Sequence, residues 1–365
     1  MIIAAGCSGG SGAPSPGDVL VIGGPGRSDG CFYRPRALAA SAERLYVADM
    51  TGRLQVLDLD GRWLATWKLP EINRGFPTGV GVSPSGFVAI ADTHNYVVRV
   101  YDADGREKRV IGGEGGKPGQ FTYVTDAEFD RAGNMYTSEH GREDRIQKFD
   151  AEGKYLRSWG HTGTEPGEFR RPQALAVDPQ GFVFVADAAN HRIQKFTDEG
   201  KLVAVWGEAG TGPGQLLYPY GLALTEQGYL VVAEYGNNRI QAFDPEGHCA
   251  GIWGGPGHEA GRFALPWGVA WVEGRGIYVS DRDNHRVQVL RKPFQSAAAG
   301  RTERMKNKGS LQNANFKLKK RVKVKLRNAR NSRNTGMKKE GLRGKGWGKR
   351  FFSSVPQACS LKPHA

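Results

Sequence analysis

The chain has 365 residues, with 51 Lys+Arg against 37 Asp+Glu, a formal charge of +14. Four cysteines in a chain this long exclude a disulfide-framed scaffold, and no apolar stretch of about 20 residues reads as a membrane span. The basic excess is local: residues 295–365 carry 20 Lys+Arg and 2 Asp+Glu, whereas residues 1–294 carry 31 and 35, so the overall charge excludes nothing and requires nothing of the larger part.

In chain order, residues 1–17 (MIIAAGCSGGSGAPSPG) read as a Ser/Gly/Pro-rich flexible tether. Ala4-Ala5-Gly6-Cys7 resembles the end of a bacterial lipoprotein signal, in which the cysteine is lipidated after cleavage. Only six residues precede Cys7, too few for a charged region followed by an apolar one. With a coding start further upstream, the expectation is an exported protein, periplasmic or membrane-anchored through Cys7; otherwise it is a cytoplasmic one.

Residues 18–294 are then built from one motif used six times. A strand ending in an acid is followed by an Asn/Gly-rich turn, an arginine and a further apolar strand. It reads VADAANHRIQKF at 185–196, VAEYGNNRIQAF at 232–243 and VSDRDNHRVQVL at 279–290, with looser copies before them. The acids are Asp49, Asp92, Glu139, Asp187, Glu234 and Asp281, spaced by 43, 47, 48, 47 and 47 residues. A fixed period of this size marks a repeat architecture, because one such unit cannot bury its apolar face alone.

Each period divides into four short strands. In the fourth they are RPQALAVD, GFVFVAD, HRIQKFTDEG and KLVAVWG, with alternating apolar residues and Asp/Gly/Pro turns between them. Four strands repeated six times predict an all-β, six-bladed β-propeller. The sixth period stops near Leu290 after three strands. The segment DVLVIGGPG at 18–26 resembles RVIGGEGG at 109–116 and GIWGGPG at 251–257, the last strands of other periods. The N-terminal strand is therefore expected to complete blade six and remove an exposed sheet edge.

The N-H-R-I-Q-x-F runs, the preceding V-A-D, the W-G-x-x-G and the F/L-x-x-P that opens each blade together resemble NHL repeats, over residues 18–291. Blade three departs most, with Val124 in place of the opening proline and Asp126 where other blades have Gly or Ala. Blade two has Val97 in place of arginine, and blade one shortens its turn to Thr51-Gly52.

The acids and the arginines Arg53, Arg145, Arg192, Arg239 and Arg286 recur in phase, so they read as structural. Asp and Asn satisfy backbone donors in tight turns, and an arginine beside a carboxylate can form a two-pronged ion pair between blades. A ring of pore-facing acids around a cation is the functional alternative, which the paired arginines weaken. Function is expected where repeats differ. The residue after each opening proline begins the innermost strand: Arg36, Thr78, Thr125, Gln173, Tyr220 and Trp267. The residue after each acid lies on the same face: Met50, Thr93, His140, Ala188, Tyr235 and Arg282. Ring closure puts Tyr220, Tyr235, Trp267, Arg282 and Arg36 on one side of the pore mouth, opposite a polar wall of Thr125, Asp126, His140 and Gln173. Aromatics with arginines suit a peptide, a sugar or a small anion.

The family resemblance also implies an enzyme option. Peptide-amidating lyases share the fold and bind zinc through histidines just after the opening prolines of alternate blades; none of the six positions here is histidine. No zinc ligand set stands at those positions, and calcium would find Asp126 as the one inner-strand carboxylate near the mouth, so neither metal is assigned as a cofactor. No nucleophile elbow or phosphate-cradling loop occurs. The reading is a non-enzymatic propeller that binds a protein, peptide, sugar or small anion at its pore mouth. A metal-assisted lactonase, hydrolase or lyase with Asp126 and His140 is the alternative, and RNA binding by one face comes third. From Gln295 the repeat pattern ends. The basic run FKLKKRVKVKLRNARNSRNTGMKKEGLRGKGWGKRFF is expected to be disordered and able to attract nucleic acid or an anionic surface. A solvated tail, or translation past the natural end, accounts for it better than specific nucleic-acid recognition.

Overall fold

The computed structural model describes residues 18–70, 75–291 and 293. The tether with Cys7 and the basic segment from Gln295 lie outside the described residues. Among the described residues twenty-four strands, β1 to β24, form six four-stranded antiparallel sheets. Blade one runs from β2 (Pro35–Ala40) through β3 (Arg44–Asp49) and β4 (Arg53–Asp58) to β5 (Trp63–Lys68). Blade four runs from β14 (Pro172–Val177) through β15 (Val183–Asp187) and β16 (Arg192–Phe196) to β17 (Leu202–Trp206). Blades two, three and five repeat this order, and the innermost strands of neighbouring blades pack side by side around an axis. Among the described residues no helix is long and apolar enough to cross a membrane.

Closure follows the expected route. Strand β1 (Val19–Ile22) pairs antiparallel with β24 (Arg286–Leu290), in register Val19 with Leu290 through Ile22 with Val287. Ile22 is buried, and a Cβ on Gly61 of blade one would stand 2.6 Å from its side chain. The Tyr278 hydroxyl of blade six donates to the Leu59 carbonyl of blade one at 2.7 Å. The closing strand therefore fills the gap between the first and last repeats with apolar contact as well as ladder bonds.

Cores form between blades rather than within them. Ala174, Phe184 and Ile193 of blade four pack on Leu222, Val232 and Phe243 of blade five. Phe32, Phe121, Phe169, Leu216 and Phe263, the aromatic or leucine three residues before the opening position of every blade but the second, are fully buried. Burying such a side chain contributes roughly 1.5–3 kcal/mol, which explains why F/L-x-x-P recurs with the period.

The inner strands carry a feature that prepares the site. Pro172 pairs with Asp187 and Ala174 with Ala186, so Gln173 is an unpaired β-bulge residue. The same irregularity falls at Tyr220, at Thr125, at Arg36–Ala37 and at Trp267–Gly268. A bulge re-aims the extra residue and ends regular pairing. Here it turns Gln173, Tyr220 and Trp267 toward the axial channel.

Candidate functional site

The repeated motif is a closed hydrogen-bond network. In blade four Asp187 accepts the Arg170 N–H at 2.7 Å, the Asn190 amide at 2.9 Å, the Arg192 Nε at 2.7 Å and the Gln194 amide at 3.0 Å. The remaining Arg192 nitrogens donate to the carbonyls of Thr164, Glu165 and Glu168, and Gln194 bonds Gly167 and Glu168. The ion pair lies within a blade, not between blades as the sequence suggested; its guanidinium pins the connection arriving from the preceding blade. Asp49–Arg53, Glu139–Arg145, Glu234–Arg239 and Asp281–Arg286 repeat it at 2.6–3.2 Å. In blade one the Thr51 hydroxyl also donates to Asp49.

Blade two, which lacks the arginine at Val97, supplies Arg99 instead, with its Nε 2.9 Å from Asp92. Arg99 stands where the other blades have glutamine, so the pair survives by a two-residue shift. Burial pushes the carboxyls of Glu139, Asp187, Glu234 and Asp281 upward, opposed by their hydrogen bonds and arginine partners. With their oxygens taken up in this way, the six acids do not form a cation-holding ring.

The residue before the motif arginine joins blades. His191 accepts the Tyr218 N–H of blade five at 3.1 Å, Asn238 the Leu265 N–H of blade six at 2.8 Å, and His285 the Arg34 N–H of blade one at 3.2 Å. Asp144 does the same for Arg171 at 3.0 Å. The four donors, Arg34, Arg171, Tyr218 and Leu265, all have φ between 50° and 56°. That left-handed turn, held from the neighbouring blade, places Arg34, Arg171 and Tyr218 on the rim. Sequence reasoning missed them, although each immediately precedes an opening proline.

At the mouth the structure brings together Tyr220, Tyr235, Trp267, Arg36 and Arg282. Tyr220 stacks on Tyr235 at 4.5 Å between ring centroids and meets Trp267 edge-on at 4.7 Å. The Arg36 guanidinium lies 4.8 Å from the Trp267 ring centroid, Arg282 5.7 Å from the same ring, and Arg171 5.7 Å from Tyr220. Tyr220 and Trp267 are each only 7% exposed. They back the guanidinium groups instead of offering an open aromatic wall; the exposed aromatics are Tyr33 and Tyr218 at the rim.

Charge at the mouth is unevenly compensated. Asp283 pairs with Arg282 at 2.7 Å and lies 3.6 Å from Arg34. Arg36 has no carboxylate partner among the described residues, and its buried Nε has no hydrogen-bond partner. Burial, followed by repulsion from Arg282, Arg171 and Arg34, brings its pKa down to about 10. Across the mouth His140 stacks on Tyr123 at 5.4 Å, and His94 meets Tyr123 at 5.8 Å. Burial and the nearby guanidinium groups hold both histidines below their ordinary range.

The expected polar wall divides. Thr125 is 1% exposed and its hydroxyl is used by Ser138 and the Pro172 carbonyl, so it laces blade three to blade four and does not face a ligand. Asp126 and Gln173 lie below the mouth in the axial channel, joined by Glu128, which the sequence reading did not single out. The free volume there is about 30 Å³, the room of one water molecule. Asp126 accepts the Leu175 and Ala127 N–H groups, and burial still lifts its carboxyl to about 7. Burial and then the Asp126 charge push Glu128 well up. Gln173 is 2% exposed with neither amide atom bonded.

A groove of about 450 Å³ beside Arg109, Ile111, Phe149 and Tyr155 is larger, but none of its lining side chains has an orphaned buried polar atom. Volume and chemistry therefore point to different places, and chemistry favours the mouth. Among the described residues no three His, Cys, Asp or Glu side chains converge as a metal site.

The fold and mouth define a six-bladed β-propeller with an asymmetric, arginine- and aromatic-rich pore face. The NHL repeat family model matches residues 169–196 and 263–290, the fourth and sixth copies of the motif. The chain is thus a six-bladed β-propeller with NHL repeats in its fourth and sixth blades. No curated protein matches it. Among solved structures it resembles a Bacteroides thetaiotaomicron protein of unknown function, with 16% identity, 74% of each chain covered and a TM-score of 0.57. A Xanthomonas campestris gluconolactonase has 15% identity over 72% of this chain and 88% of its own, with a TM-score of 0.55. Virginiamycin B lyase from Staphylococcus aureus has 12% identity over 74% and 98%, with a TM-score of 0.52. These likenesses establish the fold alone.

Proposed function

We propose that this NHL propeller is a recognition module that binds its ligand at the pore mouth. The observation that carries the reading is the contrast between the acid–arginine network and the mouth: the network's acids and arginines are paired, while Arg36, Trp267, Gln173 and Arg282 include buried atoms with no partner, against two such atoms elsewhere, on Thr137 and Trp159 of blade three. Buried polar groups are normally hydrogen-bonded, so unpartnered ones converging on a concave face support a binding role. The channel beneath is too narrow to admit more than a small polar group, which makes the rim the binding surface.

A second reading is catalytic. Lactonase and lyase propellers share the fold, and the neutral-leaning His94 and His140 beside arginines have the makings of a general base with electrostatic stabilisation. The full chain screened by thermal shift against sugars, peptides, lactones and organic acids separates the two. Hydrogen-exchange protection by a bound compound should fall on Arg34–Arg36, Tyr218–Tyr220 and Trp267. Protection confined to the outer strands would contradict a mouth site, and turnover of the bound compound would favour the enzyme.

A further inference from the structure

We infer that the ligand of this mouth is a small organic monocarboxylate, held by its acid group on Arg36; the inference rests on recognition at the mouth and specifies its chemistry. Among the unpartnered buried atoms of the mouth donors outnumber acceptors: Arg36 Nε, Arg282 Nε, the Trp267 indole N–H and the Gln173 amide nitrogen stand against the Gln173 amide oxygen and His94 Nδ1. A peptide or sugar brings donors and acceptors in comparable number, and its own donors would meet guanidinium groups. A carboxylate brings only acceptors, and the planar guanidinium matches it with two parallel bonds.

Charge points the same way: Asp283 is shared by Arg282 and Arg34, whereas Arg36 faces three like charges and, among the described residues, no carboxylate. One negative charge on Arg36 relieves that repulsion. A phosphate dianion would bring a second charge into a half-buried site, at a desolvation cost that the already paired Arg282 does not offset. Shape agrees: Arg36 is clamped against the Trp267 face at 4.8 Å, and Trp267 is fixed by Tyr220. The guanidinium is thus oriented before the ligand arrives, which reduces the ordering cost of binding.

The test is calorimetric titration of the full chain with benzoate, its neutral methyl ester and inorganic phosphate, at low ionic strength. Benzoate should bind at least ~10-fold more tightly than the ester, since a hydrogen bond to a charged group is at stake, and more tightly than phosphate. Arg36→Met, which keeps the apolar stem over Trp267, should weaken benzoate by a similar factor, while the remote exposed Arg106→Met should not. The wild-type comparison decides even should Arg36→Met fold poorly. Equal binding of benzoate and ester would overturn the carboxylate assignment and leave recognition at the mouth standing. Preference for phosphate would overturn it in favour of a dianion, and benzoate affinity unchanged in a folded Arg36→Met would overturn the placement. Absence of benzoate binding overturns the inference; absence of any mouth ligand in the thermal-shift screen overturns the broader reading as well.

Discussion

The acid–arginine network and the pore mouth are made of similar residue types and behave in opposite ways. In the network each arginine but Arg99 has a carboxylate and two or three carbonyls, Arg99 having the carboxylates of Asp92 and Glu107 instead, and in blades three to six the pattern recurs with little change. At the mouth Arg36 has an indole face and three positive neighbours. The first arrangement holds adjoining segments together and is needed in every blade. The second costs stability and occurs once. Repetition thus separates groups that hold the ring from groups placed for something outside it.

The largest effect that tests this contrast is on closure. Deleting residues 18–24 removes the partner of β24 and the buried Ile22, and the resulting loss of several kcal/mol should lower the melting temperature by about 10 °C or more. An unchanged melt would remove the closing strand from the account. Next comes the network: Arg192→Met leaves Asp187 buried and unpaired, which should cost about 3–5 kcal/mol in urea unfolding. A loss below about 1 kcal/mol would make the motif dispensable.

Asp126 belongs to the stability-costing side. Its folded-state pKa, about 7, is raised above the unfolded value, so the native state holds a proton that the unfolded chain releases. Stability from this group is full below the unfolded pKa near 4 and is lost as pH rises through about 7. Asp126→Asn should therefore flatten that part of the pH profile, with a loss common to all pH values because its amide NH2 faces one of the two N–H groups the carboxylate accepts. A pH dependence between about 4 and 7 that is unchanged in the variant would show that Asp126 is not the titrating group. The smallest effect is at the inter-blade acceptor. His285→Ala should cost about 1 kcal/mol, whereas His285→Asn should be nearly neutral, because Asn238 fills the equivalent place with the same left-handed backbone. Equal losses would point to the imidazole ring itself, packed on Tyr33.

Much of the ring was legible because it is periodic: the blade count, the strand order and the closing strand follow from recurring residues in phase. The gathering of Arg36, Tyr220, Tyr235, Trp267 and Arg282 could also be placed, since ring closure brings the last blades to the first. What escaped depends on local backbone geometry. The residue before proline favours extended conformations, so nothing in Arg34-Pro35 or Arg171-Pro172 announced a left-handed turn aiming arginine at the rim. Arg99 replaces the arginine missing at Val97 from two positions along the same strand, which a position-by-position comparison does not register. Thr125 and Glu128 depend on the bulge between Val124 and Asp126, which sets which side chains enter the channel.

The most direct measurement is the urea midpoint of Arg36→Met beside that of Arg192→Met. If Arg36 is held ready for a ligand against the repulsion of its neighbours, its replacement should leave the midpoint unchanged or raise it, while Arg192→Met lowers it clearly. A fall for Arg36→Met comparable to that for Arg192→Met would mean that the mouth arginine, too, is part of the frame.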